Sequence, residues 1–230
     1  MHWIDPEYLP ETAGVVDCFL LNSDGEADGL VLQDGTEVHF PPHMGRDVLA
    51  AVAPGSTVRV RGVRPRHVAM VAAVSIKSQD GTRLVDAGPP DDDADRKAAR
   101  QLGQATRTDM EVRGVVRQLL HGPKGEIRGV LLQDGRAGRF PPHAAQHIVA
   151  MMAPNAPVLL RGAGLVTPHG TVIAVQAFGT SADDIQPVEA KKPKKDHKDH
   201  KPHKDHKSPK GHKALGADRH EGNSGSVAPL

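Results

Sequence analysis

Aromatic side chains are scarce in this chain, with four Phe, one Trp and one Tyr among 230 residues. Tight, general binding of single-stranded nucleic acid stacks successive bases on aromatic rings, at about 1–3 kcal/mol per base. So few rings argue against that mode. Cysteine is scarcer still: Cys18 stands alone, which excludes an internal disulfide framework and favours a reducing compartment. No run of apolar residues is long enough for a membrane-spanning helix, so no membrane partner is expected. The start, Met1-His2-Trp3-Ile4-Asp5-Pro6-Glu7, has neither a basic nor an apolar signal region, and a cytoplasmic location is expected. Catalytic signatures are missing too, with no glycine-rich phosphate loop, no CxxC pair and no HExxH. Cys18 has Gln118 at its repeat-equivalent position, so a nucleophile used twice is excluded. The expectation is a non-enzymatic protein without a small-molecule substrate.

What is present is repetition. Gly14-Val15-Val16 returns as Gly114-Val115-Val116, Leu32-Gln33-Asp34-Gly35 as Leu132-Gln133-Asp134-Gly135, and Phe40-Pro41-Pro42-His43 as Phe140-Pro141-Pro142-His143. Arg61-Gly62 returns as Arg161-Gly162, and between Gly14 and Gly62, 21 of 49 positions match their partners 100 residues on. Unrelated segments share about one position in fifteen on average residue usage. The chain is two copies of one small module.

Each copy has the same pattern. A first strand (15–21, 115–120) runs into Ser23-Asp24-Gly25 or Pro123-Lys124-Gly125. A second (29–33, 129–133) reaches Asp-Gly, a strong hairpin signal. A third ends at Phe40 or Phe140. Pro-Pro-His then opens a short helix, 44–52 or 144–152, where proline is tolerated because its missing N–H would be unpaired anyway. A fourth strand (57–61, 158–161) and a fifth (69–76, 171–178) complete the unit. Five strands with a helix between the third and fourth is the order of an OB-fold barrel; an SH3-like barrel normally lacks that helix. The expected fold is all-β, two tandem OB-like five-stranded barrels. The repeated G-V-V, L-Q-D-G, F-P-P-H and R-G segments, spanning about residues 14–178, resemble a group of bacterial proteins described as OB-fold nucleic-acid-binding-domain proteins. The resemblance implies a fold and a class of partner and brings no catalytic residues. Repeat two departs from the pattern at Gly138, where repeat one has Val38, and at Asn155, where it has Gly55.

The expected organisation is an N-terminal extension (1–13), repeat one (14–78), an acidic linker (79–110) around Pro89-Pro90-Asp91-Asp92-Asp93, repeat two (111–180) and a Lys/His-rich tail (185–230). The tail has too few apolar residues to offset its ordering entropy and is expected to be disordered. The overall charge of +1 hides an uneven distribution. Residues 14–76 carry five arginines against seven carboxylates, residues 114–178 six cations against two carboxylates, and residues 191–213 ten lysines against three aspartates. That asymmetry points to a polyanion partner.

Three sets of candidate residues follow. Lys194, Lys195, Lys198, Lys201, Lys204 and Lys207 form the electrostatic footprint of phosphate-backbone binding. His197, His200, His203, His206 and His212 are interleaved among them, and histidine at this density suits nickel, zinc or copper. On the barrels, Arg59, Arg61, Arg64, Arg66, Arg128, Arg139 and Arg161 are the candidate nucleic-acid contacts. Arg59 and Arg61 alternate with Val58 and Val60 and so face outward. Phe-Pro-Pro-His has two readings: an anion-binding helix start using His43 and His143, or a structural corner whose histidine satisfies a local carbonyl. A metal site there is disfavoured, because His39 and His43 in repeat one become Arg139 and His143 in repeat two, where His147 is the alternative partner. The expected function is non-catalytic nucleic-acid binding directed at the phosphate backbone. The alternatives are a metal buffer or chaperone working through the tail, and a protein-interaction scaffold. No cofactor is expected beyond tail-bound metal.

Overall fold

The computed structural model describes residues 5–88, 106–141, 144, 149 and 152–188. Barrel one consists of β1 (Glu11–Leu21), β2 (Ala27–Leu32), β3 (Glu37–His39), α1 (Gly45–Ala51), β4 (Thr57–Val63), β5 (Met70–Lys77) and β6 (Arg83–Val85). Barrel two consists of β7 (Thr108–His121), β8 (Ile127–Leu132), β9 (Ala137–Arg139), β10 (Pro157–Thr167), β11 (Gly170–Gly179) and β12 (Gln186–Pro187). In barrel one, β3-β2-β1-β4-β5 pair in that order, and a parallel β3–β5 pairing closes the ring. Barrel two closes in the same way through β9 and β11, with β10 paired to both β7 and β11. This is the expected OB order, and α1 sits between β3 and β4 as it requires. In barrel two Ala144 is helical, and most of the equivalent segment, with His143 and His147, lies outside the described residues.

One loop is used five times. Residues 22–26, 32–36, 78–82, 122–126 and 132–136 each bridge two strands, with a backbone bond joining the outer residues and a glycine N–H donating to the first carbonyl. Gly25, Gly35, Gly81, Gly125 and Gly135 all take φ between +80 and +94°, the left-handed region that a three-residue hairpin loop needs at its last position. The instance at 78–82 differs from the sequence expectation. Gln79-Asp80-Gly81 starts no linker; it turns β5 into β6, and Leu84 of β6 packs on the core. Likewise β12 pairs with β11 inside the stretch expected to be disordered, and the described chain continues to Val188, whose N–H donates to the Gln176 carbonyl.

Residues shared by the repeats shape each barrel. At Gly62 and Gly162 the pairing register slips by one, and a Cβ at either position would fall on the carbonyl oxygen of Ala72 or Ala174. The preceding arginine closes a cross-strand ion pair, Arg61 with Glu11 at 3.1 Å and Arg161 with Glu111 at 2.6 Å. Where the repeats differ inside a barrel, the difference is compensated. Asn155 takes φ 68° where Gly55 has 85°, and asparagine is among the few side chains that tolerate that region. Gly138 leaves the space of Val38 empty, and Leu160 and Val175, in place of Val60 and Ala73, crowd to within about 3 Å of where its Cβ would stand. The core volume is redistributed and close packing is kept.

Candidate functional site

The candidate arginines fall into three places. On barrel one, Arg59 reaches Glu11 at 3.3 Å, Arg61 bonds the Glu7 carbonyl and the Glu7 and Glu11 carboxylates, and Arg64 bonds the Thr12 hydroxyl. Arg66 is exposed and makes no ion pair among the described residues. On barrel two, Arg161 pairs with Glu111. Arg128 and Arg139 line the cleft between the barrels, paired with Glu126 at 3.0 Å and Asp28 at 2.9 Å. The outward direction of Arg59, opposite the buried Val58 and Val60, agrees with the alternation. The tail residues Lys194, Lys195, Lys198, Lys201, Lys204 and Lys207 and His197, His200, His203, His206 and His212 lie outside the described residues.

The two barrels fall within one compact unit, and equivalent positions of the two repeats meet in their contact, which gives it a pseudo-twofold axis. Their shared apolar core is built from equivalent pairs, Leu20 with Leu120 and Val31 with Leu131, with Ala137 and Cys18 beside them. At the axis Asp17 pairs with Arg117, its own counterpart 100 residues on. Barrel two also sends its β10–β11 hairpin across, so that Leu165 and Val172 join the core of barrel one and His169 lies edge-on to Phe19 at 6.1 Å. OB barrels commonly hold ligands on the face of strands two and three and on the adjoining loops. Val31 of β2, Glu37 of β3, and their counterparts Leu131 and Ala137, are spent here on the other barrel.

Glu37 is 2% exposed and forms the polar centre of this contact. It accepts bonds from His39 Nε2 at 3.0 Å, the His121 N–H at 2.9 Å and His121 Nδ1 at 2.6 Å. Burial pushes its carboxyl up, but the bonds from His121 and His39 outweigh that and hold it below the usual glutamate value. Nearby, Arg139 donates to Asp28 and to the Leu21 carbonyl, both on barrel one. Asp28 is raised, chiefly by burial and against the pull of Arg139 and His39. Beside this contact opens a cleft of about 860 Å³, lined by Phe40-Pro41-Pro42 and Phe140-Pro141 from the two barrels and by Ala72–Val74 and their equivalents Ala174–Gln176. The repeated proline corner is therefore a wall of the cleft as well as the end of a strand. Among the described residues the partner of His43 is a carboxylate and not a carbonyl: its Nε2 meets Asp86 at 2.9 Å. The cleft is mostly apolar, and the cations around it are paired within the protein.

Sequence reasoning passed over Asp17, Arg117, Asp28, Glu37 and His121. The signal that finds them is difference between the repeats: positions 17, 28 and 37 are acidic in repeat one and Arg117, Arg128 and Ala137 in repeat two. Among the described residues no cluster of His, Cys, Asp and Glu could hold a metal ion, and no helix is long and apolar enough to cross a membrane.

No family model matches this chain, and no curated protein matches it. Among solved structures it is similar to a deletion mutant of the single-stranded DNA binding protein from Thermus aquaticus, at 12% identity and a TM-score of 0.23, covering 80% of this chain and 96% of that one. At that score the overlap has no weight for function, and the fold assignment rests on the strand pairing.

Proposed function

We propose that this chain is a non-catalytic nucleic-acid-binding protein that grips the phosphate backbone through its lysine-rich C-terminal segment, with the barrel pair as its folded body. The observation that supports this most directly is the ten lysines against three aspartates between Lys191 and Lys213. Neutralising phosphates releases condensed counterions, which drives binding without sequence preference. The barrels fit a secondary role. Their strand-two and strand-three faces cover each other, and among the described residues all the candidate arginines except Arg66 have partners.

The test is fluorescence anisotropy with labelled single-stranded DNA, duplex DNA and RNA at two salt concentrations, with a chelator present. The full chain is compared with a full-length variant in which Lys194, Lys195, Lys198, Lys201, Lys204 and Lys207 are replaced by Gln. Binding should fall steeply with salt, and losing six phosphate contacts should flatten the log–log salt slope on duplex DNA by about 5. Unchanged affinity in the variant would move the site to Arg59 and Arg66 on the barrels. The histidines at 197, 200, 203 and 206, one every third residue, favour a second reading as a nickel, zinc or copper buffer. Tail-dependent metal binding with no nucleic-acid affinity would select it.

A further inference from the structure

We propose that the facing surfaces of the two barrels are a matched recognition pair, each built to accept the other barrel and to refuse its own kind. The apolar part of the contact is self-complementary, since Leu20, Leu120, Val31 and Leu131 occupy equivalent places. Such a surface alone would pair any barrel with any barrel, as isologous interfaces do. The polar positions remove that freedom. A residue on the axis meets its own counterpart, so two copies of barrel one would oppose Asp17 to Asp17 and two copies of barrel two Arg117 to Arg117. Only the mixed pair gives the Asp17–Arg117 ion pair.

The off-axis contacts repeat this logic. Arg139 meets Asp28; in a pair of barrel-two copies it would meet Arg128 on both sides. Glu37 meets His121; in a pair of barrel-one copies it would meet Leu21 twice, leaving two buried carboxylates without that partner. The positions equivalent to Glu37 and His121 on the other side, Ala137 and Leu21, are apolar and 5% and 3% exposed, so that side of the contact carries no buried charge. The β10–β11 hairpin adds a contact of shape, because Leu165 and Val172 fill the core of barrel one, whereas no residue of β4 or β5 joins the core of barrel two among the described residues. Specificity of this kind needs a repulsive element against the wrong partner as well as an attractive one for the right partner. The chain is therefore an intramolecular heterodimer with a closed interface, and the linker joins two halves that already select each other.

Full-length variants test this. Asp17→Arg recreates the contact of two barrel-two copies and Arg117→Asp that of two barrel-one copies; the double variant restores opposite charges in reversed order. Each single reversal should lower the melting temperature by about 4 °C and the double should recover most of that loss. The urea midpoint of unfolding should likewise fall in each single variant and return in the double. Losses that simply add in the double variant, or single reversals without effect on either readout, would overturn the proposal. Should a reversal prevent folding, Asp17→Asn and Arg117→Gln complete the same cycle, where coupling supports the pairing and additivity refutes it.

Discussion

At the scale of single residues, the two repeats show which positions are dictated by backbone geometry. Gly162 takes no unusual φ, yet a side chain there would collide with the main chain of β11, whose atoms cannot rotate away. Gly162→Ala should cost about 3 kcal/mol, at the upper end of overpacking, and urea denaturation of the full chain measures it. Gly114 looks similar but differs in kind, because its missing Cβ would stand 2.7 Å from the tip of Leu132, a side chain able to turn. Cys18 belongs at this scale too. Burial first, and Asp17 second, push its thiol up to about 11, against the pull of Arg117. At pH 8 it should resist a thiol reagent in the folded protein and react fully once urea unfolds the chain. Fast labelling of the native state would mean that the barrel contact is open.

At the scale of elements, β3 and the end of β7 meet through Glu37, and its lowered carboxyl has a definite sign. A group whose folded pKa lies below its unfolded value stabilises the fold fully above the ordinary glutamate range, about 4.3, and loses that contribution as the pH falls through the lower, folded value. Acid should therefore weaken the contact between the barrels, and Glu37→Gln should flatten the acid limb of a melting-temperature profile. Asp28 has the opposite sign, since its raised carboxyl prefers the protonated form in the folded protein. The same profile of Asp28→Asn should consequently keep its acid limb. The loop device acts at this scale as well. Gln33-Asp34-Gly35, Gln79-Asp80-Gly81 and Gln133-Asp134-Gly135 are one tripeptide in one turn, so the β5–β6 hairpin was legible in the chain. It was obscured because the unit was bounded by identity between the repeats, and β12 has no such tripeptide before it.

At the scale of the whole molecule, the sequence by itself determined the duplication, the strand order and the closure of each barrel. Those follow from local pattern: alternation sets the strands, Asp-Gly and Lys-Gly set the turns, and a helix between the third and fourth strands selects the OB order. It also determined where the lysine and histidine charge lies. Only the tertiary structure decided what the surface residues are for. Arg61 and Arg161 look alike in sequence as candidate phosphate contacts, yet each is committed to a glutamate on the neighbouring strand, and Glu11 and Glu111 lie before the segment in which the repeats were compared. The contact between the barrels was invisible for a deeper reason. Within a barrel the repeats obey the same local rules and therefore look the same, whereas between the barrels Glu37, Asp17 and Asp28 answer to residues 84, 100 and 111 positions away in the chain. There, physical complementarity demands difference: acid against base, Glu37 against His121, Asp17 against Arg117.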